Sequence, residues 1–222
     1  MNATPNPELR THYIETLRGH LAERILDPTV VHASECELCP MKPFYNRTLD
    51  EIPPLSDQSI LFFTRGRLFE RFISQERPPL ELDGICGTVD GTTPDGELIE
   101  IKSTLQDMDK FNPASSQPHW IQRSKAYATI YGVNVINLVV FFLVGNMWTH
   151  KTEPTGLKSW RLEFTPEELA DNWDYILLQR DKLLRAIGAG ELPDEAWVKG
   201  RRMGFECKSC QFSVMCPYFN GK

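Results

Sequence analysis

The sequence has no long apolar run. Its longest such stretch, from Val135 to Val144, is interrupted by Asn137 and is far too short to cross a bilayer, and the first residues show no basic segment followed by an apolar one. These absences argue against a membrane anchor and a secretion signal, so we expect a cytoplasmic protein with no membrane partner. Hydrophobic residues make up 41% and charged residues 24% of the 222 positions, which is ordinary for one globular domain.

Positive charge is in deficit. The 24 lysines and arginines are outnumbered by 30 aspartates and glutamates, giving a net charge of -6. This balance weighs against a nucleic-acid partner, because phosphate binding needs cations. Basic residues nevertheless cluster locally, at positions 65–71, 123–125 and 199–202. A site that gathers carboxylates around cations would itself be acidic, so the total charge does not exclude such a partner.

The order of elements predicts an α/β fold with a mixed central sheet flanked by helices. We predict helices over residues 8–26, 59–76, 119–131 and 165–187, with Thr165 as the N-cap of the last, and strands over 80–90, 97–104, 135–144, 148–152 and 159–164. Apolar side chains are expected on one face of the first helix (Leu9, Tyr13, Leu17, Leu21, Ile25) and on the buried side of the second (Leu61, Phe62, Leu68, Phe69, Phe72, Ile73). We treat 1–222 as a single domain with an N-terminal helical segment (1–58), a core (59–190) and a C-terminal cysteine segment (191–222).

An acidic residue ends one apolar segment, and a carboxylate and a lysine lie on the next. The segment G-x-V-D ends at Asp90, and E-I-K-S begins at Glu100. Residues two apart on a strand share a face, so Glu100 and Lys102 project together, and a hairpin could place Asp90 beside them. Two carboxylates can hold Mg²⁺ or Mn²⁺, which activates a bound water, and a lysine can orient that water or neutralise developing charge. Their apolar neighbours make unpaired charges costly, which favours chemistry over a solvated ion pair.

Cysteine is scarce but grouped. Three of the six cysteines lie close together near the C-terminus, at Cys207, Cys210 and Cys216, and two lie near the N-terminus, at Cys36 and Cys39. Without a secretion signal, such grouping favours metal ligation over disulfides, and four thiolates can hold either zinc or an iron–sulfur cluster. The last, Cys86, lies alone in a predicted strand and is expected to be a small buried residue.

The G-x-V-D and E-I-K-S segments resemble the second and third motifs of the RecB-like branch of the PD-(D/E)XK superfamily. The resemblance implies a metal-dependent nuclease in which Asp90 and Glu100 hold the metal and Lys102 acts on the water or the phosphate. That branch also carries an acidic residue or His on a preceding helix, four residues after a Gly. The spacing of Gly66 and Glu70 matches it, so the resemblance implies Glu70 as a further metal ligand.

A later helix resembles the Q-x-x-x-Y motif of the same branch, with a departure. Gln122 and Tyr127 are one residue too far apart, whereas Arg123 stands at the expected spacing. On a helix His119, Arg123 and Tyr127 share a face, but Gln122 and Tyr127 do not. Gln122 and Tyr127 are taken as the match to the motif, and a site role for Arg123 stays open.

The cysteine arrangement resembles that of the CRISPR-associated RecB-like nucleases (the fourth Cas protein) and the iron–sulfur staple of AddB-type nucleases, with one cysteine before the core and three after it. The segment C-P-M-K-P-F-Y beginning at Cys39 resembles the family's first-ligand segment, which favours Cys39 over Cys36. The resemblance covers about residues 34–216. It implies a four-iron four-sulfur cluster that ties the chain ends together, held by Cys39, Cys207, Cys210 and Cys216.

The leading hypothesis is an exonuclease that hydrolyses single-stranded DNA or DNA ends with a divalent cation. DNA would bind through the basic residues near Glu70 and after Lys199, and the resemblance points to further partners in CRISPR adaptation, antiviral defence or recombination. The alternative is a DNA-binding or adaptor protein with a zinc-stapled, nuclease-like fold and no cleavage. Intact Asp90, Glu100 and Lys102 disfavour that alternative. Cleavage polarity and endonuclease activity are not fixed by the sequence.

Overall fold

The computed structural model of the chain describes residues 6–22, 30–74, 77–143, 156–201 and 204–219; the side chains at positions 22, 69, 70, 73 and 205 lie outside the description. The helices are α1 (Pro7–Ala22), α2 (Met41–Thr48), α3 (Asp57–Ile73), α4 (Pro113–Ser116), α5 (Pro118–Tyr131), α6 (Pro166–Ala189), α7 (Glu195–Arg201) and α8 (Gly204–Ser209), with a 3-10 helix at Ala33–Cys36. The strands are β1 (Val31–His32), β2 (Leu80–Leu82), β3 (Ile85–Gly87), β4 (Gly91–Thr92), β5 (Leu98–Thr104), β6 (Val135–Phe142) and β7 (Gly156–Glu163).

The strands form two mixed sheets flanked by helices, so the predicted mixed α/β fold is confirmed. One sheet has the order β4-β5-β6-β7 and the other the order β1-β3-β2. The prediction of one central sheet was wrong at the junction between β3 and β4. There the Asp90 N–H still donates to the Ile99 oxygen at 3.1 Å, but the next contact with β5 is made by the Asp90 side chain, whose Oδ2 accepts the N–H of Ile101 at 2.7 Å. The regular antiparallel register with β5 covers the two residues of β4.

β6 is one of the two internal strands of the larger sheet. It runs parallel to β5 and antiparallel to β7, and alternate side chains from Ile136 to Phe142 are fully or almost fully buried. Parallel neighbours cannot be joined by a tight turn, so the chain crosses from β5 to β6 through α4 and α5. The in-register pairing sets Glu100 opposite Leu138. The middle of β5, which carries Glu100, therefore lies beside a fully buried part of β6.

The helices α5 and α6 pack on each other, and both follow their predicted ends. α5 is closed by Gly132, whose φ of 66° lies in the left-handed region that favours glycine. At the start of α6, the Thr165 hydroxyl accepts the Glu168 N–H at 3.2 Å, and the Glu168 carboxylate accepts the Thr165 N–H at 3.0 Å. This reciprocal cap confirms Thr165 as the N-cap.

The continuous strand predicted over residues 80–90 is instead a tight hairpin. Its two arms are β2 and β3, which pair antiparallel, and the turn between them is Asp83-Gly84. Both turn residues have positive φ, 50° and 74°, as a two-residue hairpin turn of the kind favoured by Asp-Gly requires. The turn therefore overrides the apolar pattern at this point. The strand predicted over 148–152 lies outside the described residues.

The predicted buried faces of the first two helices were wrong. On α3 the apolar side chain that is fully buried is Ile60, and the described side chains expected in the core are exposed: Leu61 by 42%, Phe62 by 49%, Leu68 by 49% and Phe72 by 84%. The predictions for Phe69 and Ile73 fall on side chains outside the description. On α1 Ile14 is buried, whereas Leu9 and Tyr13 are exposed. Leu17 and Leu21 are half-buried, and Ile25 lies outside the described residues. The two helices contact each other at polar positions, among them Arg10 Nη1 and Asp57 Oδ2 at 2.9 Å. Their periodicity correctly predicted helices, but it did not predict which face of each helix is buried.

No helix in the described part of the chain is long and apolar enough to span a membrane.

Candidate active site

The structure brings Asp90, Glu100 and Lys102 together at β5. Glu100 and Lys102 lie two residues apart on this strand. Asp90 follows β3 and lies against the same stretch of backbone. Its N–H donates to the Ile99 oxygen at 3.1 Å, and its Oδ2 accepts the Ile101 N–H at 2.7 Å. The Asp90 carboxylate thus binds the peptide group between Glu100 and Ile101, beside the side chains of Glu100 and Lys102.

Glu100 is a buried carboxylate, only 2% exposed. Burial raises the pKa of Glu100 to about 7; the Lys102 ammonium opposes this shift, and the nearby Asp90 carboxylate adds to it. The Lys102 ammonium donates to Glu100 Oε1, and also to the Ile101 oxygen at 3.0 Å. Two neighbouring carboxylates and one ammonium leave an excess of negative charge, which a divalent cation would neutralise.

Gly87, in the G-x-V-D segment, allows α5 to approach β3 closely. A Cβ at this position would come within 2.8 Å of Ile130 Cδ1 and 2.9 Å of Tyr127 Cδ1. Tyr127 is buried, and burial, reinforced by the Glu100 charge, raises its pKa well above the usual value. The glycine therefore permits the packing that brings Tyr127 near the carboxylates.

The charged residue of α5 that interacts with the Glu100 carboxylate is Arg123. The charge of Arg123 acts on Glu100, and its Nε donates to Glu37 Oε2 at 3.0 Å. Gln122 contacts α6 instead, where its backbone oxygen accepts a hydrogen bond from Asn172 at 3.1 Å. Helical geometry explains the difference, because residues four apart share a face and residues five apart do not.

Glu37 was missed by the sequence reasoning. Its side chain is fully buried, and burial raises its pKa to about 7, against the opposing charge of Arg123. No motif pointed to it, because its partner Arg123 lies far along the chain.

A cleft of about 800 Å³ opens beside Lys102. Polar and basic side chains from α2, α3 and α5 line it, together with aromatic rings: Lys42, Phe62, Phe63, Arg65, Arg67, Lys102, His119, Trp120 and Arg123. The pKa of His119 is lowered to about 4, mainly by burial and in addition by the charges of Arg123 and Lys102. The cleft is therefore cationic although the whole chain is acidic.

The two other groups of candidate residues are placed differently. Glu70 belongs to α3, but its side chain lies outside the described residues. Arg201 is turned inward, where it donates to Gln179 Oε1 at 2.6 Å and to the Cys36 oxygen. Lys199 pairs with Glu195 at 2.6 Å, and residue 202 is not among those described. In the described part of the chain, the basic side chains of the cleft come from positions 42–123.

The cysteines fall into two environments. Cys39 lies near the C-terminal group, because the charges of Cys207 and Cys216 act on it. These charges add to the effect of burial, and together they raise the pKa of Cys39 to about 11. Burial likewise raises the pKa of Cys210, with Cys207 and Cys216 among its neighbours. Cys36 is buried, and the charges that act on it come from Arg and Glu side chains and not from other cysteines.

Backbone N–H groups already face two of these sulfurs. The Met41 N–H hydrogen-bonds Cys39 and the Phe212 N–H hydrogen-bonds Cys210; both contacts favour the thiolate and lower its pKa. Aromatic packing joins the two segments, with the Tyr45 and Phe212 ring centroids 5.2 Å apart. Across the described residues, no three His, Cys, Asp or Glu side chains are arranged to hold a single metal ion.

The fold is shared with proteins of known structure. The sequence matches no protein-family model and no curated protein. The crystal structure of SSO0001 superimposes with a TM-score of 0.58 at 14% identity, covering 95% of this chain and 96% of that one. An alkaline exonuclease from Laribacter hongkongensis, LHK-Exo, gives 0.50 at 14% identity over 79% of this chain and 95% of the exonuclease, and its complex with dAMP gives 0.50 at 14% over 72% and 91%. The chain therefore has the fold of an alkaline exonuclease.

Proposed function

We propose that the chain is a DNA nuclease that depends on a divalent cation and acts as an exonuclease on single-stranded DNA or DNA ends. One observation carries the proposal: the Asp90 carboxylate binds the backbone of β5 between Glu100 and Lys102, at 2.7 Å from the Ile101 nitrogen. Two carboxylates and an ammonium beside a cationic cleft meet the needs of phosphodiester hydrolysis, which are a held cation and a stabilised negative charge.

Asp90 and Glu100 would hold Mg²⁺ or Mn²⁺, because such hard cations prefer carboxylate oxygens. The donor set fits, since two carboxylates repel each other here and Glu100 is almost fully buried. Glu70 is proposed as a third ligand from its place in the sequence. When bound, the cation would lower the pKa of a water molecule and so supply the nucleophile.

Lys102 would orient the attacking water or neutralise charge on the phosphate. It lines the cleft while its ammonium contacts Glu100, so the same group can reach both the carboxylate and a phosphate in the cleft. Tyr127 would hold the Glu100 side of the site through its packing on Gly87. Gln122 is the weaker candidate for a catalytic role, because its neighbour Arg123 is the one that lines the cleft.

The cleft suits a strand whose bases are unpaired. Phe62 is about half exposed within it, and Lys42 lies 5.6 Å from the centre of the Phe63 ring. Exposed aromatic rings can stack single-stranded bases while neighbouring cations bind the phosphates. The fold is also that of an exonuclease whose complex with dAMP has been solved.

Cys39, Cys207, Cys210 and Cys216 would hold a four-iron four-sulfur cluster. Their mutual electrostatic effects and the N–H groups directed at Cys39 and Cys210 support this, since hydrogen bonds to sulfur accompany such clusters. A four-iron cluster is larger than one ion, so its ligands need not converge on a single point. The cluster would link the N-terminal and C-terminal segments.

The biological setting is proposed from the sequence resemblance. It favours partners in CRISPR adaptation or recombination. An adaptor that binds DNA without cutting it remains the alternative function. Cleavage decides between the nuclease and the adaptor.

The decisive experiment is single-turnover cleavage of end-labelled single-stranded and duplex DNA by anaerobically purified protein. Cleavage with Mg²⁺ or Mn²⁺, lost with EDTA and lost in Glu100→Gln, is the expected result. Glu97→Gln is a matched control, because Glu97 lies just before β5 and pairs with Arg161 at the surface. A wild-type protein that binds DNA and leaves it uncut with both cations would contradict the proposal.

A further inference from the structure

The guanidinium of Arg123 is fixed on one edge by a carboxylate that solvent does not reach. Its Nε donates to Glu37 Oε2 at 3.0 Å, and the Glu37 side chain is 0% exposed whereas that of Arg123 is 16% exposed. The two residues come from distant parts of the chain, one on α5 and one just after the 3-10 helix at Ala33–Cys36. The contact therefore sets the position of the guanidinium relative to the body of the protein.

The Arg123 side chain is also partly exposed, and the residue lines the cleft. Arg123 lines the cleft together with Lys102, and its charge acts on Glu100. Within the described residues, the bond from Nε to Glu37 is the hydrogen bond that the Arg123 side chain makes. The terminal nitrogens keep their N–H donors, in the planar fork that matches a phosphate.

A second buried ion pair in the same segment shows the contrast. Arg47 contacts Glu35 at 2.7 Å, and its terminal nitrogens also donate to the Pro43 oxygen at 3.1 Å and the Val30 oxygen at 2.9 Å. That guanidinium is used to tie backbone segments together. The terminal N–H groups of Arg123 make no such contacts among the described residues.

Stability alone does not account for the Glu37–Arg123 pair. Removing two charges from water costs several kcal/mol, and apolar residues in the place of a buried pair are often as stable or more so. Glu37 Oε1 also has no hydrogen-bond partner among the described residues, which adds to the cost. A pair that is costly to bury and directed at a cleft is better explained by the placing of a cation there.

We infer that Arg123 is a further catalytic residue that binds the scissile phosphate through its terminal N–H groups, and that Glu37 is the positioning residue that holds it. This inference rests on the proposed nuclease function. In the reaction the water oxygen bonds to phosphorus and loses a proton to solvent, the bond from phosphorus to the leaving oxygen breaks, and the leaving oxygen takes up a proton from solvent. Arg123 transfers no proton, since a guanidinium stays protonated, and it stabilises the negative charge on the phosphate oxygens.

The test uses single-turnover cleavage at saturating DNA and cation. Arg123→Ala should lower the rate constant by about a hundredfold, the usual scale for losing a positioned electrostatic group, and added guanidinium ion should restore part of it. Arg123→Lys should stay well below wild type, because it keeps the charge and loses the fork. Glu35→Gln is the matched control: it should reduce stability and leave the rate constant and its response to guanidinium unchanged.

The role of Glu37 is tested with a double-mutant cycle. Glu37→Gln should slow cleavage by about tenfold in the wild-type background, and by much less when combined with Arg123→Ala, because it acts through Arg123. Equal effects of Glu37→Gln in both backgrounds would overturn its positioning role.

Two outcomes separate this inference from the proposed function. A wild-type protein that leaves DNA uncut would contradict the nuclease proposal as a whole. A wild-type protein that cuts DNA, with Arg123→Lys or Arg123→Ala folded and equally fast, would overturn the inference about Arg123 alone.

Discussion

Asp90 has two separable contributions, one to the β5 backbone and one to the proposed cation. Its Oδ2 accepts the N–H of Ile101, a buried residue in the middle of β5. Asp90→Asn keeps an acceptor oxygen at this place, and it also removes a charge that acts unfavourably on Glu100. We therefore expect the free energy of unfolding to change by less than about 1 kcal/mol in Asp90→Asn. Asp90→Ala leaves the Ile101 N–H without its acceptor and should cost about 1.5–3 kcal/mol, the range for a hydrogen bond to a charged group.

Both Asp90 variants should lose cleavage, because neither retains a carboxylate to hold the cation. Urea unfolding gives the stability, and single-turnover cleavage with saturating Mn²⁺ gives the rate. The informative variant is Asp90→Asn, expected to be as stable as wild type and inactive. An Asp90→Asn protein that cleaves at the wild-type rate would refute the role of Asp90 in binding the cation. Equal stability of the Ala and Asn variants would refute its backbone role.

Three further predictions follow from the site and its surroundings. Lys102→Ala should keep the fold and most of the DNA affinity, and should slow single-turnover cleavage by about a hundredfold or more; a folded variant near the wild-type rate would contradict its role. Cys39→Ser should remove the brown colour and the iron of anaerobically purified protein, whereas Cys36→Ser should keep both, and the opposite result would reverse the ligand assignment. Burial lowers the pKa of His119 from 6.5 in the unfolded chain to about 4 in the folded protein. As the pH falls, the imidazole is therefore protonated in the unfolded chain before it is protonated in the folded protein. The free energy of unfolding that is present above pH 6.5 is lost progressively towards pH 4. Between about pH 7.5 and pH 5 wild type should therefore lose up to about 2 kcal/mol more than His119→Gln, and urea unfolding curves that change equally with pH would contradict this.

The grouping of the candidate residues could be predicted where the regular spacing of a strand or a helix decides which side chains lie on the same face. Glu100 and Lys102 share a face because they are two apart on one strand, and a hairpin returns Asp90 to them. The face shared by Arg123 and Tyr127 follows from a spacing of four on a helix in the same way. In each case the relevant contact lies within one element or between two neighbouring ones, so local geometry is sufficient.

The rest of the fold depended on contacts that no local pattern shows. The break at Asp83-Gly84 was missed because the apolar residues on both sides continue the strand pattern, and the preference of Asp-Gly for positive φ outweighed them. The exposed face of α3 was missed for another reason. Apolar periodicity identifies a helix but not the neighbour against which it packs, and here that neighbour is α1, joined to it by charged side chains such as Arg10 and Asp57.

The total charge of the chain is a poor guide to its partners for a related reason. The excess of acidic over basic residues sums over the whole surface, whereas a phosphate senses charge within about 8–10 Å at physiological ionic strength. Lys42, Arg65, Lys102 and Arg123 all line one cleft, and they come from four separate elements. Their convergence results from the crossover that packs α5 against β3 and β6 and from the packing of α3 on β5. A cationic cleft in an acidic protein should therefore attract DNA with a marked salt dependence, since its field is local and its counterions are released on binding.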